Sequence, residues 1–233
     1  MSIQTFKKAF PYTIPVMMGY IPMGIAFGVL LSSQGFAFYW CTLMAVLVYA
    51  GSMQFVAVGL LAHPVSLFTV ALITFSINAR HLFYGLSLLD KFSDKGLKKL
   101  YLIFGLTDET YSLICSINPP AGTKAQDFYF SLSLLNQFYW VFGCTIGGIL
   151  GNLISFDVRG MDFAMTALFL VIFIEQWLAT DNHIPALLGV FVTLACLLLF
   201  GSKNFIMASM LGIAIFFALL KKYIDKGDAQ TNE

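Results

Sequence analysis

Residues 64–89, PVSLFTVALITFSINARHLFYGLSLL, decide the fold class of this protein. The stretch is apolar over the length of about 17 to 25 residues that a membrane-spanning helix needs, yet its interior holds Asn78, Arg80 and His81. A charged side chain near the centre of a bilayer costs about 2.5 to 3.5 kcal/mol on insertion scales, so such residues face a cavity or a partner instead of lipid. We therefore expect the rest of the chain to supply a polar partner for Arg80.

The whole chain has the composition of a membrane protein. Of its 233 residues, 59% are hydrophobic and 11% are charged, whereas soluble globular domains carry about 25% charged residues. This predicts an all-α integral membrane protein with about seven or eight hydrophobic helical segments that cross the lipid bilayer several times. We expect one membrane domain, residues 1–233, with a polar C-terminal tail at 225–233. The apolar segments are 10–33, 36–62, 64–89, 100–117, 128–153, 163–180, 184–201 and 205–220.

The second apolar segment is interrupted near its middle. Ala50-Gly51-Ser52-Met53-Gln54 places glycine and polar residues inside the apolar run. Transporters place opened backbone of this kind beside a substrate. We therefore predict a discontinuous or re-entrant helix here, with Ser52 and Gln54 as candidate binding residues.

One pattern occurs twice, which indicates an internal repeat. The spacing Y-x-x-x-G-x-x-x-G begins at Tyr20 and again at Tyr139. The repeat halves that this suggests are residues 10–118 and 127–224.

The distribution of lysine and arginine bears on topology, because cytoplasmic loops carry an excess of both. If all eight segments cross with the N-terminus inside, the twelve of these residues that lie outside the apolar segments, which are all except Arg80, divide six and six between the two sides. If one segment within 36–89 and one within 163–201 fold back without crossing, ten lie inside and two outside. Each half then crosses three times, which predicts two inverted repeats and a cytoplasmic loop at 91–99.

Ionisable groups inside the apolar segments form the candidate site. They are Arg80, His81, Asp108, Glu109 and Glu175, and with His81 neutral their net charge is −2. Hydrocarbon cannot hold that charge unneutralised, so either a carboxyl is protonated, His81 is charged, or water and a cationic substrate group reach the site. A protonatable carboxylate beside a buried cation suits proton-coupled transport. The alternative is that Arg80 pairs with Asp108 or Glu109 and locks two segments together, which leaves one carboxylate over.

Other chemistries find little support in the sequence. No H-E-x-x-H, G-x-S-x-G or glycine-rich phosphate loop occurs. A metal site built from His81, Asp108 and Glu109 lacks a second well-placed histidine. We expect no enzyme activity, catalytic residue, metal or cofactor, and a net charge of +1 gives no support for a nucleic-acid partner. The candidate substrate-binding or coupling residues are Arg80, Asp108, Glu109, His81, Asn78, Gln54, Ser52 and Glu175.

Four motifs, in order, resemble one known family. The motifs FPYTIPVMMGYIPMGIAFG at 10–28, YAGSMQF at 49–55, NARHLFYG at 78–85 and FGLTDET at 104–110 resemble the AzlC family of branched-chain amino-acid permeases, the YgaZ-like large subunits. The similarity is concentrated in the first half of the chain. The resemblance implies export of valine, leucine, isoleucine, methionine or their analogues across the bacterial inner membrane. It also implies a small partner membrane protein of the AzlD type, encoded separately.

The leading hypothesis from the sequence is a secondary transporter coupled to the proton gradient. In it Arg80 faces the substrate carboxylate, and Asp108 or Glu109 receives the ammonium group or a proton. The sequence has no ATP-binding motif, which argues against primary transport by this chain. The alternatives are a passive channel and a non-transporting subunit of a membrane complex.

Overall fold

A computed structural model describes residues 3–62, 65–89, 91–92, 96–154, 160, 163, 166–167, 170, 173–174, 177–178 and 181–230. These residues form helices joined by short loops, and none of them lies in a strand. The chain divides into two compact units, residues 1–166 and 167–233, each described by itself below. Much of the predicted segment 163–180, including Glu175, lies outside the described residues.

The first unit contains seven helices among its described residues. They are α1 (Ile3–Ser33), α2 (Phe38–Leu47), α3 (Gly51–Ala62), α4 (Leu67–Ser87), α5 (Leu97–Phe104), α6 (Asp108–Ser116) and α7 (Ala125–Leu153). In the described part of the chain, two helices are long and apolar enough to cross a membrane, α1 and Ile184–Gly201. A third is added if the two parts of α4, which meet at a bend of 42°, form one span. The predicted total of seven or eight segments stays a prediction.

α1 and α7 pack against each other through glycines and run in the same direction. Gly24 of α1 contacts Gly143 of α7, and one turn later Gly28 contacts Gly147, so the residue numbers rise together along the two helices. The backbones approach so closely that a Cβ atom on Gly147 would lie 2.2 Å from the carbonyl oxygen of Ile25. Small residues allow such close packing between membrane helices, where the hydrophobic effect gives little attraction. The pattern that begins at Tyr20 and Tyr139 thus forms the two sides of one helix contact.

The shared direction of α1 and α7 corrects the predicted topology. An inversion of 10–118 relative to 127–224 requires that the first helices of the two halves run in opposite directions. Because α1 and α7 are parallel, the chain between them returns to the end where α1 begins. Lys8 Nζ donates to Thr123 Oγ1 at 3.2 Å at that end.

α2 runs in the direction opposite to α7. Thr42 Oγ1 lies 2.8 Å from Thr145 Oγ1, and the carbonyl of Val46 accepts from Gln137 Nε2 at 3.2 Å. The residue numbers therefore fall along α7 as they rise along α2. The chain then leaves helical geometry at 48–50, which confirms the predicted discontinuity.

α3 returns towards the end where α2 begins. Gly51 lies against the ring of Trp140, and Phe55, one turn later, packs on Phe27 at 5.7 Å between ring centroids. Phe27 lies farther along the α1–α7 pair than Trp140, because its neighbour Gly28 contacts Gly147. α2 and α3 therefore form a helical hairpin, whose tip is residues 48–50.

α4 runs in the direction opposite to α7 and parallel to α6. Lys91, just beyond α4, accepts at its carbonyl from Gln126 at the start of α7. Along α6, Ser87 Oγ donates to Tyr111 Oη at 3.2 Å, and Lys91 Nζ donates to the carbonyl of Ile114 at 2.9 Å. α6 thus ends at the same end of the unit as α4.

α5 runs parallel to α7, so α5 and α6 form a second hairpin. The ring of Tyr101 lies 4.9 Å from that of Phe130, and Gly105 lies beside Ser133. The predicted single segment 100–117 is therefore two antiparallel helices, because the chain turns at 105–107. The two hairpins open towards opposite ends of the α1–α7 pair. Their tips meet near its middle, where the ring of Tyr49 lies 6.1 Å from that of Phe104.

The second unit contains α8 (Ile184–Gln230) among its described residues. Its backbone leaves helical geometry at Gly201, with φ 70° and ψ 171°, between the predicted segments 184–201 and 205–220. Before the helix begins, the imidazole of His183 stacks on Trp177 at 4.0 Å. α8 continues to Gln230, so the predicted polar tail begins within a helix.

The close contact of α1 and α7 leads to a stability prediction. Gly147→Ala should lower the free energy of unfolding by about 1 to 3 kcal/mol, the usual cost of overpacking, because the added methyl group would meet the backbone of α1. Chemical unfolding of the purified protein in detergent measures this change. The matched control is Gly19→Ala, where nothing lies within 4 Å of the new Cβ. Equal destabilisation by the two variants would contradict the packing described here.

Candidate functional site

The two hairpin tips bring the first turns of α3 and α6 together near the middle of the α1–α7 pair. At the first tip Tyr49 adopts a positive φ of 45°, which non-glycine residues rarely do, and α3 begins two residues later. The first N–H groups of a helix have no partner within it and carry partial positive charge. The tips therefore offer hydrogen-bond donors at the depth where the ionisable side chains lie.

The first turn of α3 is held by Trp140 of α7. The indole ring lies against Gly51, where a Cβ would come within 3.3 Å of it. Trp140 Nε1 donates to Gln54 Oε1 at 2.8 Å, and because an indole nitrogen only donates, this contact fixes the orientation of the amide. Gln54 is fully buried, and its Nε2 has no hydrogen-bond partner among the described residues. A buried donor without an acceptor costs about 1 to 3 kcal/mol.

The second tip starts α6 with a threonine cap and two carboxylates. Thr107 accepts at Oγ1 from the backbone N–H of Thr110 at 3.3 Å. Asp108 and Glu109 follow in the first turn, where the helix dipole favours negative charge. The two carboxylates therefore lie at the start of a helix and not in the middle of one.

Arg80 joins α4 to both tips. Its Nη2 atom lies 3.0 Å from Asp108 Oδ2 and donates to Ser52 Oγ at 2.9 Å. Tyr84, one turn after Arg80, donates its hydroxyl to Asp108 Oδ1 at 2.8 Å. Of the two carboxylates that the sequence offered to Arg80, the structure pairs Asp108 with it.

Glu109 is the carboxylate that remains. It accepts from the Tyr20 hydroxyl of α1 at 2.6 Å, and the same hydroxyl lies 2.7 Å from Thr107 Oγ1. In the part of the chain that the structure describes, no cationic side chain pairs with Glu109. Among the described residues, the Glu109 carboxyl group is therefore contacted by a hydroxyl group at the start of α6 and by no cation.

α7 contacts both tips with one face. Asn136 Nδ2 donates to Thr110 Oγ1 at 3.0 Å, and Trp140, four residues later and on the same face, contacts the first turn of α3. Asn136 is fully buried, and its Oδ1 has no partner within the described ranges. Among the described residues, the buried polar atoms of the site without a hydrogen-bond partner thus include Gln54 Nε2, a donor, and Asn136 Oδ1, an acceptor, together with Tyr49 Oη and Asn78 Oδ1.

The other predicted residues lie farther from the tips or outside the described residues. His81 packs edge-on against Tyr84, with ring centroids 5.8 Å apart. Asn78 lies one turn before His81 on α4, and its Oδ1 is buried without a described partner. Glu175 falls outside the described residues. Among the described residues, no group of three or more His, Cys, Asp or Glu side chains could hold a metal ion.

Three residues of the site were not predicted as members of it. Tyr20 belongs to the repeated pattern, which predicts no binding role for it, and Asn136 is a polar residue within the apolar segment 128–153. Nothing in the sequence distinguishes Trp140 as a residue of the site, because aromatic residues are frequent in this chain. Two of their partners are 86 and 89 residues away in sequence, so local spacing could not reveal them.

Comparisons with known proteins agree on one family. The family described as AzlC protein matches residues 15–154. A protein of Bacillus subtilis (strain 168) named branched-chain amino acid transport protein AzlC is 45% identical over 223 residues, which are 96% of this chain and 88% of that protein. An uncharacterized membrane protein of Helicobacter pylori (strain ATCC 700392 / 26695) is 41% identical, covering 96% of this chain and 98% of its own length.

A more distant relative is named as an inner membrane protein. The inner membrane protein YgaZ of Escherichia coli (strain K12) is 28% identical over 151 residues, which are 64% of this chain and 62% of that protein. No solved structure matches the chain.

Proposed function

Because the chain belongs to the AzlC family, we propose that this membrane protein exports branched-chain or related hydrophobic amino acids across the bacterial inner membrane, coupled to protons. The observation that carries the proposal is the meeting of two helix starts around Arg80, Asp108 and Glu109. Secondary transporters bind substrates at such interrupted helices, where exposed backbone groups and ionisable side chains lie at membrane depth. The name of the Bacillus subtilis relative supports the class of substrate.

In this proposal the polar residues at the tips bind the groups that all amino acids share. Arg80 and the first turn of α3, with Ser52 and Gln54, face the substrate carboxylate. Asp108 or Glu109 receives the ammonium group or a proton. The remaining candidates, Asn78, His81 and Glu175, are proposed to contribute to binding or coupling.

The two hairpins are proposed to be re-entrant, entering the membrane from opposite sides. Residues 38–87 and 97–153 share one plan, a hairpin followed by a long helix, with opposite directions. We propose that these two stretches are the halves of an inverted repeat, with boundaries other than those that the sequence suggested. The end of the first unit that carries Lys8, Lys91 and Lys98 faces the cytoplasm in this proposal, because cytoplasmic ends carry the excess of positive charge.

The topology leads to a labelling prediction. In a variant without the four native cysteines, Gly96→Cys should react with an impermeant thiol reagent only from the cytoplasmic side, because residue 96 lies just before α5 at the basic end. Labelling is compared in right-side-out and inverted membrane vesicles. The control is Gly35→Cys, in the turn after α1 at the opposite end, which should label only from outside. Reversed labelling of the two positions would contradict the proposed orientation.

Substrate and direction are tested together by amino-acid profiling. Cells that contain the protein should hold less valine, leucine, isoleucine or methionine inside, and more in the medium, than cells without it. Unchanged intracellular pools of all four would contradict the proposed substrate class. A higher intracellular pool would contradict export.

The chain is also proposed to act with a small membrane subunit of the AzlD type. A passive channel and a non-transporting subunit of a membrane complex are the competing functions. Accumulation of leucine against a gradient, abolished by a protonophore, would exclude a channel. Activity of this chain reconstituted alone would exclude a non-transporting role.

A further inference from the structure

The proposed function leaves open which carboxylate binds the ammonium group, and the contacts of the two carboxylates differ. Asp108 faces a guanidinium at 3.0 Å and a tyrosine hydroxyl at 2.8 Å. The positive charge of Arg80 balances the charge of Asp108. If Asp108 bound the substrate ammonium group instead, Arg80 would lose its counter-ion. Removing one partner of a desolvated ion pair is costly because the other charge stays behind. Asp108 therefore serves best as a fixed partner of Arg80.

Glu109 has the opposite properties. Its hydrogen-bond partner is the hydroxyl of Tyr20, and in the described part of the chain no cation pairs with it. A carboxylate in this situation gains from any positive charge that reaches it, and a proton or a primary ammonium group is such a charge. Both supply one positive charge, so either one restores neutrality at the same oxygen atoms.

The buried amide groups of Gln54 and Asn136 indicate, independently of the carboxylates, a ligand that accepts a hydrogen bond at one end and donates one at the other. Within the described ranges, the side-chain N–H of Gln54 at the first turn of α3 and the side-chain carbonyl oxygen of Asn136 next to the first turn of α6 have no hydrogen-bond partner. Both side chains are fully buried. A carboxylate satisfies the first and an ammonium group satisfies the second. A zwitterionic amino acid carries both groups on adjacent carbon atoms.

We propose that the amino acid binds with its ammonium group between Glu109 and Asn136 and its carboxylate at Gln54, and that a proton replaces the ammonium group on Glu109 when the site is empty. This rests on the proposed function and assigns its two exchanging cations to one carboxylate. Binding of the amino acid releases the proton from Glu109, and departure of the amino acid allows a proton to bind. The exchange conserves charge at the carboxylate, and it gives antiport without a second ion site.

The test must distinguish the titration of Glu109 from the titration of other groups near it. Tyr20 of α1 and Tyr49 of the first tip are phenols, whose usual pKa of about 10 lies above the range of the test, and the nearby side chains Asn136 and Trp140 of α7 do not titrate. The groups on α4 and α6 that require control variants are Asp108, Arg80, Tyr84 and His81.

The experiment measures binding of radiolabelled L-leucine to the purified full-length protein in nanodiscs, from about pH 5 to pH 9. Wild-type affinity should fall as the pH is lowered, towards about tenfold per pH unit where the empty site holds its proton. In Glu109→Gln the affinity should drop at least about tenfold at neutral pH, a loss of about 1.4 kcal/mol, and should no longer depend on pH. Loss of the pH dependence in His81→Gln together with its persistence in Glu109→Gln would overturn the assignment of the proton to Glu109.

Two analogues of leucine test the orientation. Isoamylamine, which lacks the carboxylate, should compete with leucine with the same pH dependence as leucine itself. 4-Methylpentanoate, which lacks the ammonium group, should bind without that dependence. The reverse pattern would overturn the assignment of the ammonium group to Glu109.

A chemical reaction provides a test that needs no variant. A lipophilic carbodiimide reacts with protonated carboxyl groups, so it should modify Glu109 in the wild-type protein without substrate, and leucine should prevent this. Peptide mass spectrometry locates the adduct. Modification of Asp108 instead, or a wild-type affinity for leucine that does not change with pH, would overturn the inference while leaving the transport proposal intact. Failure of the wild type to bind leucine, valine, isoleucine or methionine would overturn both.

Discussion

Arg80→Met should abolish leucine efflux from proteoliposomes and lower the free energy of unfolding by about 2 to 3 kcal/mol. The variant leaves Asp108 without its counter-ion and removes the contact of α4 with Ser52. The expected loss is below that of a fully buried pair, because the Arg80 and Asp108 side chains are 30% and 18% exposed. Efflux is measured in preloaded vesicles and unfolding by denaturant in detergent.

A second ion pair provides a matched control. Lys98 pairs with Asp127 at the basic end of the unit, and the two side chains are 29% and 22% exposed. Lys98→Met should keep leucine efflux, and because the two pairs are about equally exposed, its loss of stability should be no larger than that of Arg80→Met. Loss of efflux in both variants, or normal efflux in Arg80→Met, would contradict a specific role for the pair at the hairpin tips.

Trp140→Ala should have the largest effect on stability, about 3 to 5 kcal/mol. The indole is 4% exposed, packs edge-on against Tyr20 at 5.4 Å and lies against Gly51. Its loss leaves a cavity between both hairpin tips and removes the hydrogen bond to Gln54, so efflux should also be lost. Denaturant unfolding and vesicle efflux measure the two effects.

Two further variants separate packing from hydrogen bonding. Trp40→Ala removes an indole that is 45% exposed and should change stability by less than about 1 kcal/mol. Trp140→Phe keeps much of the ring but leaves Gln54 without its donor, which should cost about 1 to 3 kcal/mol. If Trp40→Ala were as damaging as Trp140→Ala, the proposed support of the tips by α7 would be wrong.

Several features of the site were visible in the sequence because they depend on composition and local pattern. A guanidinium inside an apolar run requires a polar partner, and Arg80 has Asp108 and Ser52. Glycine and polar residues at 50–54 indicated a break, and α3 begins at Gly51. These inferences needed only the solvation cost of charges and the weakness of a helix interrupted by such residues.

The second hairpin also has a signal in the sequence, at Thr107. Thr107 followed by two acidic residues is typical of a helix start, since the threonine caps the first turn and the carboxylates match the dipole. Because Asp108 and Glu109 stood within an apolar run, they were placed in the middle of one segment. A cap signal inside an apolar run indicates a chain reversal at membrane depth.

The directions of the helices could not be derived from segment lengths. A hairpin and a straight span can use the same number of residues, so the apolar run at 36–62 fits either. The excess of lysine and arginine at cytoplasmic ends predicts a topology only for a given number of non-crossing segments, and the sequence-based count assumes one such segment before α7. The structure has two hairpins there, which bring Lys8, Lys91 and Lys98 to the same end.

The most direct test of the account is accumulation of leucine by proteoliposomes that contain this protein together with the small membrane subunit proposed for it. With an acidic interior and a neutral medium, proton exit should drive leucine into the vesicles above its external concentration, and a protonophore should abolish this. Arg80→Met vesicles should accumulate none, whereas Lys98→Met vesicles should behave as the wild type. Equilibration of leucine to the external concentration, unaffected by the pH gradient or the protonophore, would contradict a proton-coupled transporter built around the two hairpin tips.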